Sequence, residues 1–169
     1  MPTSVTDWHA RARSLAIQSQ AYIDGRYVPA ASGKTFDCVS PIDGRLLARV
    51  AATDVADADR AVAAARRSFE DGAWSRQPPR ERKRVLLRFA ELILEHRDEL
   101  ALLETLDMGK PISDSLAVDI PATARCIAWY AEAVDKIYDE VAPTGQDALA
   151  LITREPVGVV AAIVPWNFP

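Results

Sequence analysis

The sequence has 169 residues, enough for one domain with a hydrophobic core. Hydrophobic residues make up 49% and charged residues 26%, the balance of a globular chain rather than a disordered one. A net charge of −4 and a pI near 5.2 argue against a general nucleic-acid or anionic-membrane binder, which needs a basic field.

Residues 1–20, MPTSVTDWHARARSLAIQSQ, lack the apolar stretch of a secretory signal, and no later apolar run approaches a membrane span. The next stretch, AYIDGRYVPAASGKTFDCVSPIDGRLLARVAA, carries Asp24-Gly25, Ser32-Gly33 and Asp43-Gly44 between short runs rich in Tyr, Val, Phe and Leu. Asp-Gly between extended runs predicts small antiparallel hairpins. At Asp54 the pattern becomes helical. Asp54 can cap the N-terminus, Asp57 falls in the first turn, and Ala58, Ala61, Val62, Ala65 and Phe69 follow at helical spacing until Gly72.

Three further helices are predicted. The first runs from Arg80 to about His96, with Val85, Leu86, Phe89, Leu92 and Ile93 as its apolar stripe. The second spans Asp98 to Leu106 and stops at Gly109-Lys110-Pro111. The third extends from about Ser113 to Tyr138, with a kink or break at Pro121, whose ring clashes with the Ala117 carbonyl. After Val141, ALALITREP has strand character, and VGVVAAIV is apolar on both faces, as a strand of a covered parallel sheet would be. No neighbouring strands for it are visible, so the chain reads as part of a larger α/β fold.

The candidate chemical groups are few. Arg80, Arg82, Lys83, Arg84 and Arg88 read as a solvated helix face, and His9 and His96 lack metal-ligand spacing. The only cysteines, Cys38 and Cys126, form no CxxC pair, which indicates neither a disulfide framework nor a zinc site and fits a reducing cytoplasm. Cys126 reads as a small buried hydrophobe, and neither cysteine has a visible base to generate a thiolate. No GxGxxG or GxxxxGK loop occurs. The remaining feature is Pro165-Trp166-Asn167-Phe168-Pro169, just past the end of the predicted α/β strand, where ligands of such sheets bind. On the residues alone, Asn167 is either a preoriented hydrogen-bond donor or the cap of a turn.

REPVGVVAAIVPWNFP resembles the segment leading into the catalytic region of aldehyde dehydrogenases. YIDGRYV, SPIDGRLLARV, RRSFEDGAWS and LALLETLDMGKP match the same family in the same order, so the resemblance covers nearly the whole chain. Within the family, DIPATARCIAWYAEAVDKIYDEVAPTG looks most like the γ-glutamyl-γ-aminobutyraldehyde dehydrogenases of putrescine breakdown. The fold so implied is α/β, the N-terminal part of the family fold. Residues 1–137 would give hairpins and helices of the NAD-binding domain, residues 138–155 an oligomerisation arm, and residues 156–169 the first strand of the cofactor sheet and the start of the active site.

The resemblance also implies roles. Asn167 would donate to the oxyanion formed when a cysteine thiolate attacks the aldehyde. Ile163, Val164, Pro165 and Trp166 would line the NAD or NADP site. Phe168, Asp119 and Ala122 would line the aldehyde tunnel, with Asp119 favouring an amino-bearing substrate. Cys38 and Val39, through backbone oxygens, and Asp107 would belong to a monovalent-cation site. The implied partners are a small-molecule aldehyde and further copies of the chain in a dimer or tetramer, with no nucleic acid and no membrane. The family's nucleophilic cysteine and glutamate base match no residue here, so the chain alone is expected to be inactive. The alternative is a non-catalytic assembly module that docks on full-length subunits. The unpaired edges of Val157–Val164 predict a tendency to associate.

Overall fold

Side-chain capping marks where two of the helices begin. The structure, a computed structural model, describes residues 7–165 and Asn167. The Asp7 carboxylate accepts a hydrogen bond from the Ala10 N–H at 2.9 Å and opens α1 (Trp8–Ser14). This helix is not among those predicted; its signal is an Asp cap ahead of the helix formers Ala10, Arg11, Ala12 and Arg13. The predicted hairpins form. β1 (Ala21–Ile23) and β2 (Arg26–Val28) pair antiparallel across Asp24 and Gly25, whose φ values of 54° and 77° suit a tight two-residue turn. β3 (Thr35–Val39) pairs with β4 (Leu46–Ala51), with a register shift between Cys38 and Val39.

The helix α2 (Val55–Glu70) starts where predicted, with Asp54 and Asp57 forming a reciprocal capping box. Asp57 is buried and does more than cap. Both its oxygens accept from the Ala31 N–H at 3.1 Å, and Arg60 donates to it as well, fastening the β2–β3 connection to the helix. The Arg60 hydrogen bond is the chief cause that holds the Asp57 carboxyl below its usual pKa, helped by the Ala31 and Asp54 N–H groups against burial.

α3 (Pro79–Glu95) and α4 (Arg97–Met108) follow closely, joined at His96, and α4 ends at Gly109 in the left-handed region, φ 83°. The basic stretch on α3 is largely solvated, with Arg80, Arg84 and Arg88 all exposed. Arg82 and Lys83 are half-buried, and Lys83 bridges to Glu132 on α6 at 2.6 Å and to Asp135 just past its end at 3.4 Å.

The long helix predicted from Ser113 to Tyr138 is broken. A short α5 (Ile112–Asp114) leads into a π-helical turn, Ser115–Asp119, and then α6 (Ile120–Ala133). In the turn the Ile120 N–H donates to the Ser115 carbonyl, five residues back. The extra residue widens the backbone where Pro121, with no N–H and a bulky ring, could not continue a regular α-helix. α6 also stops at Ala133 rather than Tyr138. Ile137 and Tyr138 find no apolar contact to bury them, and the Tyr138 carbonyl accepts from Arg154 instead of a helical N–H.

The core lies between α3, α4 and α6. Ala90 and Ile93 of α3 meet Ala101 of α4 and Ile120 and Ala124 of α6, with Leu100, Ile112, Leu116, Ile127 and Ala128 packed around them. Alanines at 124 and 131 on α6 let helices approach closely. Cys126 is exposed, not buried as predicted, because the buried stripe of α6 runs through Ile120, Ala124 and Ala131 and leaves position 126 facing out.

β5 (Glu140–Ala142) and β6 (Ala150–Ile152) make a third hairpin, with Val141 and Leu151 exposed. The strand predicted at 157–164 does not form. A strand exists through its hydrogen-bonded neighbour, and among the described residues none lies beside it. Val157, Val160, Ile163 and Val164 are all exposed.

Candidate active site

Three groups of side chains carry the chemistry. The first is the terminal segment. Gly158 has φ 103°, and a Cβ placed there would lie 3.1 Å from Nη1 of Arg66, so the Arg66 guanidinium of α2 sits directly against this backbone. Beyond it Ile163 is 97% exposed, and Val164 and Pro165 are also exposed, offering an apolar and main-chain surface without charged groups. Asn167 lies in a turn with its side chain exposed. Trp166 and Phe168 lie outside the described residues.

The second group joins the β3–β4 hairpin to α4. The Cys38 thiol donates to Asp107 Oδ1 at 3.3 Å, so two of the three residues expected at a cation site are in contact. Burial and then the Asp107 carboxylate push the Cys38 thiol pKa up, which keeps the sulfur protonated. A protonated thiol is a poor ligand. What the place offers is oxygen: the Asp107 carboxylate and the main chain at the Cys38–Val39 bulge. Hard oxygen donors are the type that alkali and alkaline-earth cations take, and among the described residues no cluster of three His, Cys, Asp or Glu suits a transition metal.

The third group surrounds the π-helical turn. Lys110 Nζ lies 2.8 Å from Glu104 Oε1 on α4 and 2.7 Å from Asp119 Oδ2 at the end of the turn. Asp119 is thus engaged internally, sharing the single Lys110 ammonium with Glu104. Ala122 lies one turn along α6, partly buried. The sequence pattern reads Gly109-Lys110-Pro111 only as a helix stop. The signal for more is a lysine placed just past a helix end, with acidic residues at positions 104 and 119.

Helix α3, helix α4 and the β3–β4 hairpin border an open groove of about 720 Å³, lined by apolar side chains including Leu47, Phe89, Leu92 and Leu103 and by Cys38 and Asp107. No helix among the described residues is long and apolar enough to cross a membrane.

The sequence model of the aldehyde dehydrogenase family matches residues 27–169. The chain belongs to the aldehyde dehydrogenase family. It is 55% identical over 162 residues to the NADP/NAD-dependent aldehyde dehydrogenase PuuC of Escherichia coli, covering 96% of this chain and 33% of that protein. It is 50% identical to the aminoacetaldehyde dehydrogenase of Pseudomonas aeruginosa, again over 96% of this chain and 33% of the relative. Among solved structures, a mutant P. syringae indole-3-acetaldehyde dehydrogenase in complex with NAD+ and IAA superposes with a TM-score of 0.95 at 64% identity, over 96% of this chain and 33% of that one. The γ-glutamyl-γ-aminobutyraldehyde dehydrogenase of Burkholderia cenocepacia does so with a TM-score of 0.94 at 60% identity and the same coverage. The chain therefore spans about a third of the length of the curated relatives it matches.

Proposed function

We propose that the chain supplies the N-terminal part of an NAD(P)-dependent aldehyde dehydrogenase that oxidises an aminoaldehyde, such as γ-glutamyl-γ-aminobutyraldehyde, to the carboxylic acid. The observation that carries this reading is the match over 96% of the chain to an aldehyde dehydrogenase solved with NAD+. The substrate class is supported by relatives named for aminoacetaldehyde and γ-glutamyl-γ-aminobutyraldehyde.

In this reading residues 1–137 belong to the NAD-binding domain and residues 156–169 open the cofactor sheet and the active site. Residues 138–155, which contain the exposed β5–β6 hairpin, form the arm of a dimer or tetramer. Ile163, Val164, Pro165 and Trp166 give the dinucleotide apolar and main-chain contact, and the dinucleotide when bound supplies the hydride acceptor. Asn167 directs its amide N–H at the aldehyde oxygen as negative charge develops there. A preorganised donor of this kind is worth about 10²–10³ in kcat. Phe168 and Ala122 line the aldehyde passage, and Asp119 supports its wall from behind through Lys110. Asp107 and the carbonyls at Cys38 and Val39 hold a monovalent cation.

Neither cysteine acts as the nucleophile. The Cys38 thiol is kept protonated beside Asp107, and Cys126 lies on an exposed helix face without a hydrogen-bonded base. The 169-residue chain alone is expected not to reduce NAD+. The decisive test is a hybrid in which residues 1–169 replace the matching third of the Burkholderia cenocepacia enzyme. The hybrid should reduce NAD+ with aminoaldehydes, and Asn167→Ala should lower kcat about 10²–10³-fold with KM little changed. A loss of less than about threefold would remove Asn167 from the chemistry. The exposed apolar residues Val141, Leu149 and Leu151 support a second reading, a non-catalytic module that docks on full-length subunits. Light scattering of mixtures with a full-length relative decides it: no mixed species at micromolar concentration excludes docking.

A further inference from the structure

Three ionised groups are taken largely out of water beside the broken helix. Lys110, Glu104 and Asp119 have side-chain exposures of 15%, 11% and 13%. A cluster of this kind is a costly way to gain stability, since desolvation offsets much of the attraction, and its best-attested use is to specify one arrangement over others. The arrangement here is the π-helical turn. Asp119 is the last residue of the turn, and Lys110 ties it to Glu104 on α4. Ser115 is the first residue of the turn; it is fully buried, with Oγ 3.3 Å from Thr105 Oγ1, also on α4. The turn is therefore fastened to the same helix at both ends.

Between those two fastenings Leu116 packs against the core, while Ala117 and Val118 face outward. Val118 is 57% exposed, and the partly buried Ala122, just past the second fastening, follows it four residues later on the same side. One residue more or fewer in the turn would rotate this surface by about 100° relative to α4. Thr123 Oγ1 donates to the Asp119 carbonyl at 2.9 Å, which satisfies one acceptor beside the break.

We propose that Lys110 is a positioning residue for aldehyde selection: by holding Asp119 on α4 it fixes the register of the Ser115–Asp119 turn and so the direction in which Val118 and Ala122 face the substrate. This rests on the proposed aldehyde dehydrogenase function. The residue touches no reacting atom; it acts through Asp119.

Hydrogen–deuterium exchange of the 169-residue chain tests the positional part. Lys110→Met should raise exchange in the peptide spanning Ser115–Thr123 by about tenfold or more, while α2 exchanges as in the unaltered chain. Lys110→Arg, which keeps the charge, should restore protection to within about threefold. Asp119→Asn leaves the Lys110–Glu104 pair in place and should loosen the same peptide by a smaller factor, about threefold, which covers the case in which Lys110→Met fails to fold. Unchanged exchange at the turn, or a rise shared equally by α2, overturns the assignment. In the hybrid enzyme, Lys110→Met should change the ratio of kcat/KM for a short and a long aminoaldehyde by about fivefold or more, chiefly through KM. An equal loss on both aldehydes overturns the selectivity role. A hybrid that is inactive with Lys110 in place overturns the functional reading instead, and exchange then decides the positional part alone.

Discussion

Alanine at Gly109 would meet two separate obstacles, and a second glycine separates them. Gly109 ends α4 at φ 83°, a conformation that disfavours any residue with a Cβ by about 1–2 kcal/mol. An added Cβ would also lie 3.1 Å from Cγ of Pro41, inside the 3.5–4.0 Å at which carbon atoms pack best. Pro41 is a closed ring that follows the buried Ser40, so it cannot swing aside as a flexible side chain would. Overpacking of this kind typically adds about 1–3 kcal/mol. Gly33 has φ 69° and nothing within 4 Å of the same construction, so Gly33→Ala meets only the backbone term. The expected losses are about 1–2 kcal/mol for Gly33→Ala and about 2–4 kcal/mol for Gly109→Ala. Equilibrium urea unfolding followed by far-UV circular dichroism measures both. With a slope of about 1–3 kcal/mol per molar urea, the difference between the variants is resolvable as a shift in midpoint. If Gly109→Ala were no more destabilised than Gly33→Ala, the close approach of α4 to the Pro41 loop would be refuted.

The thiols supply a chemical check on the second group of the site. Burial and the Asp107 carboxylate keep Cys38 protonated, so iodoacetamide at neutral pH should alkylate the exposed Cys126 first, and Asp107→Asn should speed the reaction at Cys38; mass spectrometry showing equal rates, or no acceleration, would contradict the contact. For Asp57 the carboxyl pKa is depressed in the folded chain, so its contribution is complete above the unfolded carboxylate pKa and is lost as pH falls through the folded value. Asp57→Asn should therefore be less stable than the unaltered chain near neutrality and lose less on acidification, and parallel stability curves between pH 7 and acid would count against the Arg60 and Ala31 contacts.

Much of the architecture is legible because it is local. Asp-Gly pairs announce the hairpins, Asp54 announces α2, and Gly109 with Pro111 ends α4, since each acts on its own few residues. What escapes is set by partners distant in sequence. Apolar spacing continues through Val134 and Tyr138, but a helix survives there only if something buries it, and Arg154 takes the Tyr138 carbonyl instead. The apolar run at 157–164 has every local property of a strand except a neighbour. Pro121 marks the break in the third helix, yet proline chemistry alone does not choose between a kink and a π-helical turn.

The same division runs through the site. The family resemblance groups Cys38 with Asp107 through a Cys38 backbone oxygen, and the contact in the structure runs from the Cys38 thiol instead. Asp119 is expected as a charge offered to an amino group, and a single residue in that stretch cannot reveal what pairs with it. Lys110 does, from nine positions earlier, while also holding Glu104. The consequence for specificity is direct. The Asp119 carboxylate is 13% exposed and 2.7 Å from Lys110, so a substrate amine would have to displace that ammonium to pair with it, and in the proposed aldehyde passage discrimination falls to shape. Shape here means the exposed Val118 with the partly buried Ala122 beside it, and an apolar wall distinguishes substrates by only about 1–3 kcal/mol per methylene. An enzyme built on this chain should therefore accept a graded series of aldehyde lengths and owe any strict preference for an amino group to residues elsewhere.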